Sequence, residues 1–222
     1  MNNFIGIVVS FAYFFGLLIA SQYMPFKTLE GKRKFVHIML GNWWLLVIAF
    51  FSNVFAVMVV PVSFIFINYL SLKRDKENGL LSSLERKNQK SYGIVLYPVA
   101  MSILIWMSFS VWHDIRIGGI GLIALSYGDG IAALTGKHFK YGAFKIFGNK
   151  KTISGSLGML VSTFSIALIY MYVTNLVSIE ELMLVSFSVA MVSTVAEAIT
   201  PFGIDDITVP VSAVVMYCIF RS

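Results

Sequence analysis

The sequence is poor in charged residues and contains a single cysteine. Only 13% of its 222 residues are charged, whereas 58% are hydrophobic, which is outside the usual balance of a soluble globular domain. Because Cys218 has no second cysteine to pair with, an intrachain disulfide and a multi-cysteine metal site are excluded. Together with a mean hydropathy of +0.81, this composition predicts an integral membrane protein.

Several well-known sequence signatures are also missing. There is no Gly-x-x-x-x-Gly-Lys-Ser/Thr motif and no protein-kinase signature, so a bound nucleotide would not lie in a Walker A loop. The two halves of the sequence show no internal repeat, which removes one sign of an inverted-repeat transporter. The first residues lack the basic stretch of a secretory signal peptide, so we expect the first apolar run to be a retained helix.

Eight apolar segments predict an all-α, polytopic bundle of transmembrane helices that forms one domain over residues 1–222. The segments are Phe4–Tyr23, Val36–Phe51, Val54–Leu72, Tyr92–Trp112, Ile117–Gly136, Ile153–Val173, Leu182–Ile199 and Ile207–Phe220. The second and the last are short for a helix that needs roughly 20 residues to cross the bilayer. The sequence therefore leaves seven or eight crossings open.

The basic residues predict how the helices are oriented. Fifteen of the 17 Lys and Arg residues lie in three predicted loops, Met24–Phe35, Lys73–Ser91 and Lys137–Thr152. With eight alternating crossings these loops share one face, which the positive-inside rule predicts to be cytoplasmic. Because these residues border apolar spans and form no folded module of their own, nucleic acid is not an expected partner.

Four acidic residues lie near this predicted cytoplasmic face. Asp129 is inside the fifth segment, about 12 Å below its cytoplasmic end, and Glu197, Asp205 and Asp206 lie near the end of the seventh segment and after it. A carboxylate within a span is unfavourable unless a polar cavity, a cation or a basic group faces it. Four clustered carboxylates would suit Mg²⁺ bound together with substrate phosphates. In the alternative interpretation, Asp205 and Asp206 only cap the last helix.

A phosphate site is predicted where the sixth segment begins, at Gly148-Asn149-Lys150-Lys151-Thr152-Ile153-Ser154-Gly155-Ser156. Free backbone N–H groups, the positive end of the helix dipole, two lysines and several hydroxyl groups all favour an anion there. A capped helix with a positive-inside anchor is the alternative interpretation. Likewise, the glycines beside Asp129 are also explained by close helix packing.

His37 follows Lys32-Arg33-Lys34 at the start of the second segment. An imidazole near phosphates could donate hydrogen bonds or carry a proton, although histidines at a membrane interface are often simple polar anchors. His113 and His138 are predicted in opposite loops, so no histidine cluster indicates zinc.

Three separated motifs resemble the CTP-dependent polyprenol kinases, which comprise phytol, farnesol and dolichol kinases and CTP-using diacylglycerol kinases. The resemblance covers roughly residues 30–213. The motifs are Arg33-Lys34-Phe35-Val36-His37 with Gly41; Gly128-Asp129-Gly130 through Gly136-Lys137 to Lys150-Lys151-Thr152-Ile153-Ser154-Gly155-Ser156; and Glu197 through Asp205-Asp206-Ile207-Thr208-Val209-Pro210.

This resemblance implies an enzyme that transfers the γ-phosphate of CTP to a membrane-embedded lipid alcohol, with Mg²⁺, at the cytoplasmic surface. The implied metal ligands are Asp129, Glu197, Asp205 and Asp206. The implied catalytic residues are Asp129, His37 and Lys151. The implied nucleotide-binding residues are Arg33, Lys34, Gly128, Gly130, Lys137, Lys150, Lys151, Thr152, Ser154, Gly155 and Ser156.

Two other functions stay open from the sequence. A phosphatidate cytidylyltransferase has similar glycine-aspartate and lysine-threonine patterns but makes a CDP-lipid and releases pyrophosphate. A membrane transporter or channel could use Asp129 and Glu197 as an ion relay, although the opposite face offers only Asp114, Glu180 and Glu181 in loops. The sequence identifies neither the lipid alcohol nor the oligomeric state.

Overall fold

A computed structural model describes residues 1–26, 28–73, 93–146, 149–201 and 203–221. Its contacts divide the chain into two compact units, Met1–Ile115 and Arg116–Ser222. Lys27, Gly148 and most of the predicted basic loop Lys73–Ser91 lie outside the described residues. The organisation as one domain stays a prediction.

The described residues of the first unit form five α-helices. They are α1 (Asn3–Tyr23), α2 (Leu29–Leu40), α3 (Trp43–Phe50), α4 (Val54–Lys73) and α5 (Gly93–Trp106), and a short π-helix, Met107–Val111, continues α5. Helix α1 packs against α2, α3 and α4, and α4 packs against α5. Trp43 and Trp44 are buried in this core, where the indole of Trp43 donates a hydrogen bond to Ser10.

The predicted span Val36–Phe51 is wrong as a single helix. Helix α2 begins at Leu29, within the predicted loop Met24–Phe35, and a turn at Gly41 and Asn42 separates it from α3. Thr28 caps α2 by accepting a hydrogen bond from the backbone N–H of Gly31, which gives this polar helix a defined start. Hydropathy identified only the apolar end of α2 because its first half is charged.

The described residues of the second unit form five further α-helices and a small sheet. Its helices are α6 (Ile117–Ile123), α7 (Gly130–Phe139), α8 (Ile153–Val173), α9 (Leu182–Ile199) and α10 (Asp205–Arg221), and a π-helix, Ala124–Asp129, joins α6 to α7. Helix α8 packs against α7 and α9, and α10 packs against α9 and α6. This arrangement brings the π-helix into contact with α8, α9 and α10.

A β-hairpin connects α7 to α8, within the predicted loop Lys137–Thr152. Strands β1 (Ala143–Ile146) and β2 (Asn149–Thr152) pair antiparallel, with Ala143 opposite Thr152 and Ile146 opposite Asn149. Gly142 precedes β1 with a positive φ of 64°, a backbone conformation that glycine adopts readily. Its carbonyl accepts the N–H of Ile153 at 3.1 Å, so the hairpin is attached directly to the start of α8.

Five described helical segments are long and apolar enough to cross a membrane: Asn3–Tyr23, Ile94–Val111, Ile117–Phe139, Ile153–Val173 and Leu182–Ile199. A shorter apolar helix covers Val54–Leu70. The all-α class of a membrane protein is therefore confirmed, since the two short strands are a minor addition. The count of seven or eight crossings stays a prediction, and so does the cytoplasmic orientation.

Candidate active site

The turn between α9 and α10 positions two of the predicted acidic residues. Thr200 ends α9, and its hydroxyl lies 2.9 Å from that of Thr208 in α10. Gly203, with φ of 93°, donates its N–H to Oδ1 of Asp205 at 3.0 Å. Glu197 in the last turn of α9 is thereby placed beside Asp205, the first residue of α10.

Asp129 reaches the same place from a different part of the chain. It is the last residue of the π-helix and is half-buried. A π-helical turn inserts an extra residue into the helical register, and such turns occur frequently at functional sites. This irregular backbone determines the direction of the Asp129 side chain, which hydropathy could not predict.

Asp129, Glu197 and Asp205 form a group of three carboxylates in the second unit. One oxygen of each lies within 4.8 Å of the others. Oxygens that ligate one Mg²⁺ in octahedral geometry lie about 3.0 Å apart when adjacent and about 4.2 Å apart when opposite, since each metal–oxygen bond is about 2.1 Å. Small side-chain rotations would close the remaining gap, so this donor set fits a hard divalent cation.

Asp206 is not part of this group. It lies in the first turn of α10 and is buried, but no oxygen of its side chain is among those gathered within 4.8 Å. Asp205 and Asp206 were predicted to have equal roles because they are adjacent in sequence, whereas successive residues of a helix point about 100° apart. A metal-binding role for Asp206 stays a prediction that this geometry does not support.

Lys151 connects the hairpin to the carboxylates. Its ammonium group forms an ion pair with Glu197 and lies 3.7 Å from Oδ2 of Asp205. The side chains are only 13% exposed for Lys151, 8% for Glu197 and 15% for Asp205. A lysine in this position offsets carboxylate charge that would otherwise be unfavourable in a partly desolvated site.

Adjacent Lys150 is directed away from these carboxylates. The register places Lys151 opposite Phe144 and Lys150 opposite Lys145, and successive side chains of a strand point to opposite faces. Lys150 is exposed, as is Lys137 near the end of α7. The sequence grouped Lys150 with Lys151 at one phosphate site, and the strand geometry separates them.

The start of α8 differs from the prediction of free backbone N–H groups. Ile153 donates its N–H to Gly142, Ser154 donates to Tyr141 at 3.4 Å, and Gly155 donates to the hydroxyl of Thr152 at 3.1 Å. Phosphate binding through these N–H groups stays a prediction that this geometry does not support.

The predicted glycines have packing roles. A Cβ on Gly136 would lie 2.7 Å from Oγ1 of Thr152 and 3.4 Å from Cα of Gly155, so α7 and α8 meet backbone to backbone. A Cβ on Gly128 would overlap the hydroxyl of Thr163 in α8. The packing interpretation, left open by the sequence, thus accounts for Gly128 and Gly155.

Three other predicted nucleotide contacts lie near these elements. Gly130 is buried at the start of α7. The hydroxyl of Ser154 is 3.3 Å from that of Thr152. The hydroxyl of Ser156 is buried and has no hydrogen-bond partner among the described residues.

Arg33, Lys34 and His37 belong to α2 in the first unit. Lys34 is buried, with 4% exposure, whereas Arg33 and His37 are half-buried. The imidazole of His37 packs edge to face against Tyr97, with ring centroids 4.8 Å apart, and the Tyr97 hydroxyl donates to the His37 carbonyl at 3.3 Å. These contacts give His37 a structural role, and its catalytic role stays a prediction.

Comparison with known proteins finds several kinases that are similar to this chain. The chain is 29% identical over 192 residues to a phytol kinase of Synechocystis, a match that covers 83% of this chain and 76% of the relative. It is 36% identical to a probable chloroplastic phytol kinase of Glycine max, over 64% of this chain and 49% of the relative. It is 30% identical to phytol kinase 1 of Arabidopsis thaliana, over 82% of this chain and 64% of the relative.

No family model matches the chain, and no solved structure matches it significantly. The aligned regions with the Synechocystis and Arabidopsis relatives are long enough to include most of both units. Because several phytol kinases align over most of its length, these similarities support a phytol kinase or polyprenol kinase-like family for the chain.

Proposed function

We propose that this protein is a multi-pass membrane kinase that transfers the γ-phosphate of CTP to a lipid alcohol such as phytol, geranylgeraniol, farnesol or a longer polyprenol. The relatives named as phytol kinases support the lipid-alcohol acceptor. The observation that carries the proposal is the convergence of three carboxylates and Lys151 in the second unit. CTP as donor, Mg²⁺ and the cytoplasmic face are parts of the proposal.

The chemistry requires charge neutralisation and positioning more than covalent participation by the protein. The oxygen of the lipid hydroxyl attacks the γ-phosphorus, the bond from this phosphorus to the bridging oxygen of CDP breaks, and CDP leaves with the electron pair. The hydroxyl proton passes to a carboxylate. We assign this base role to Asp129, or else a role as metal ligand beside Glu197 and Asp205.

Mg²⁺ would be held by Glu197 and Asp205, with Asp129 as a third ligand if it does not act as the base, and it would offset the charge of the transferring phosphoryl group. Lys151 is placed to exchange its carboxylate partners for a phosphate oxygen when the nucleotide binds, because its ammonium group already lies at the carboxylates. The buried hydroxyl of Ser156 offers a hydrogen bond to a phosphate oxygen. Exposed Lys137 supplies further positive charge.

The test uses purified protein with Mg²⁺ and CTP labelled either at the γ- or at the α-phosphate. Phytol, geranylgeraniol, farnesol, a longer polyprenol and diacylglycerol serve as acceptors. We expect γ-label in the lipid and none from α-labelled CTP. Transfer of the α-label would instead identify a cytidylyltransferase, and a complete absence of labelled lipid would refute the kinase.

Two further measurements test the selectivity for CTP over ATP and the transporter alternative. Unlabelled ATP added in excess should leave transfer from CTP unchanged if the donor site is selective. In proteoliposomes, an ion flux that is abolished by Asp129→Asn, with no lipid phosphorylation, would assign the site to a transporter instead.

A further inference from the structure

The β1–β2 hairpin separates its lysines onto two faces. On one face Lys151 contacts Glu197 and Asp205. On the other, Lys145 and Lys150 are directly opposite each other in the register, and both are exposed. Since opposite residues of an antiparallel pair have Cβ atoms about 4.5–5.5 Å apart, two ammonium groups share this face.

This arrangement is unfavourable for the isolated hairpin. Like charges directly opposite each other destabilise an antiparallel pair, and a two-stranded hairpin is at best marginally stable by itself. The sequence from Lys137 to Ile153 contains no Asp or Glu to offset the charge locally. An anion bound outside the hairpin would remove the repulsion and stabilise the strand pairing.

The position of the hairpin indicates that this anion would come from the membrane lipids. It joins two segments long enough to cross a membrane, Ile117–Phe139 and Ile153–Val173. Lys150 is three residues before Ile153, a distance of about 10 Å in extended chain, and the headgroup layer extends about 5–7 Å beyond the hydrocarbon core. The flexible lysine side chains can therefore reach lipid phosphates.

Exposed aromatic side chains beside the hairpin support the same position. Phe139 at the end of α7 is 66% exposed, and Tyr141 just before β1 is 72% exposed. Tyrosine and tryptophan rings are enriched where membrane helices meet the headgroup layer, which fits Tyr141. Their presence next to two paired lysines is the pattern expected of a segment that lies on a lipid surface.

We propose that Lys145 and Lys150 form a docking surface for the phosphate groups of anionic membrane lipids. This lysine pair would hold the hairpin at the headgroup layer while Lys151, on the opposite face, contacts the carboxylates. The inference goes beyond the proposed function, since it depends on neither the nucleotide nor a metal. Each lysine near an anionic surface strengthens the interaction by on the order of fivefold.

The test is native mass spectrometry of the full chain in a neutral detergent, titrated with dioctanoyl phosphatidylglycerol or dioctanoyl phosphatidylcholine. We expect tighter binding of phosphatidylglycerol. The double variant Lys145→Gln/Lys150→Gln should lose about 30-fold of that affinity and keep its weak affinity for phosphatidylcholine. Lys32→Gln/Arg221→Gln, which removes the same charge elsewhere, is the matched control and should lose much less.

The possible outcomes distinguish a lysine pair that binds lipid from one that binds the nucleotide. Equal affinity of the wild-type chain for the two lipids, or unchanged phosphatidylglycerol binding in the double variant, would overturn the proposal. Loss of CTP binding with phosphatidylglycerol binding retained would assign the pair to the nucleotide instead. The helical circular dichroism of each variant is measured first, and the single variants Lys145→Gln and Lys150→Gln replace the double variant if it does not fold.

Discussion

Replacing Lys151 with methionine should strongly destabilise the second unit in the absence of a divalent cation. The ammonium group lies 3.7 Å from Asp205 and forms an ion pair with Glu197, with all three side chains mostly buried. At an effective dielectric constant of about 20, a charge pair at that distance interacts by roughly 4.5 kcal/mol. Removing one partner of a buried ion pair typically costs about 3–5 kcal/mol, because the other charge stays desolvated.

We therefore expect Lys151→Met to lower the free energy of unfolding by about 3–5 kcal/mol. Mg²⁺ should restore more stability in this variant than in the wild-type protein, because the cation replaces the missing positive charge among the carboxylates. Methionine keeps most of the side-chain volume, so lost packing is a small part of the effect.

The chain provides its own reporters for this measurement. Cys218, its single cysteine, lies half-buried in α10, so a thiol-reactive fluorogenic dye follows unfolding of the second unit. The four tryptophans are Trp43, Trp44, Trp106 and Trp112, and all are in the first unit. Their fluorescence follows that unit separately.

The matched control is Lys150→Met, which removes an exposed lysine from the opposite face of the same strand. A charge on the surface contributes about 1 kcal/mol or less, so this variant should unfold close to the wild type. Equal destabilisation by the two variants would refute the reasoning, and so would a Lys151→Met protein that unfolds like the wild type.

Two further predictions concern the carboxylates and the helix contact. Asp129→Asn should reduce lipid phosphorylation by about 100-fold or more, as expected for loss of a general base or metal ligand, whereas exposed Glu180→Gln should leave it unchanged in the same radiolabel assay. Gly136→Ala should lower the stability by about 1–3 kcal/mol, because its Cβ would lie 2.7 Å from the Thr152 hydroxyl. Gly16→Ala, whose Cβ meets nothing within 4 Å, should not destabilise the protein in thermal melts followed by circular dichroism.

Hydropathy predicted the long apolar helices well. The bounds of α8 and α9, Ile153–Val173 and Leu182–Ile199, agree with the predicted segments residue for residue, because polar residues mark both ends of each run. The same reasoning was wrong for Val36–Phe51, where a charged first half and a turn at Gly41 divide the segment into α2 and α3. Hydropathy identifies apolar segments that can enter the membrane, but it does not identify the start of a helix whose first residues are charged.

The candidate site could be predicted in part. Chain order and topology indicated that Asp129, Glu197 and Asp205 share one end of the bundle, but their approach to within 4.8 Å depends on features that composition does not encode. One is the π-helix that ends at Asp129. Its backbone hydrogen bonds join residues five apart instead of four apart. Another is the turn held by Thr200 and Thr208. A Pro-x-Gly sequence after the helix was the available signal for this turn.

The hairpin explains why two adjacent lysines need different interpretations. In a loop, Lys150 and Lys151 would be equivalent candidate phosphate ligands. In the hairpin, Lys150 pairs with Lys145 and Lys151 pairs with Phe144, so the two lysine side chains point to opposite faces. Since the side-chain period of a strand is two, a shift of one residue in β2 would turn Lys151 outward and direct Lys150 toward Glu197. The attachment of Gly142 to Ile153 and the Thr152 cap limit such a shift, because they fix both strands relative to α8. The same local structure that occupies the helix N–H groups therefore also determines which lysine reaches the carboxylates.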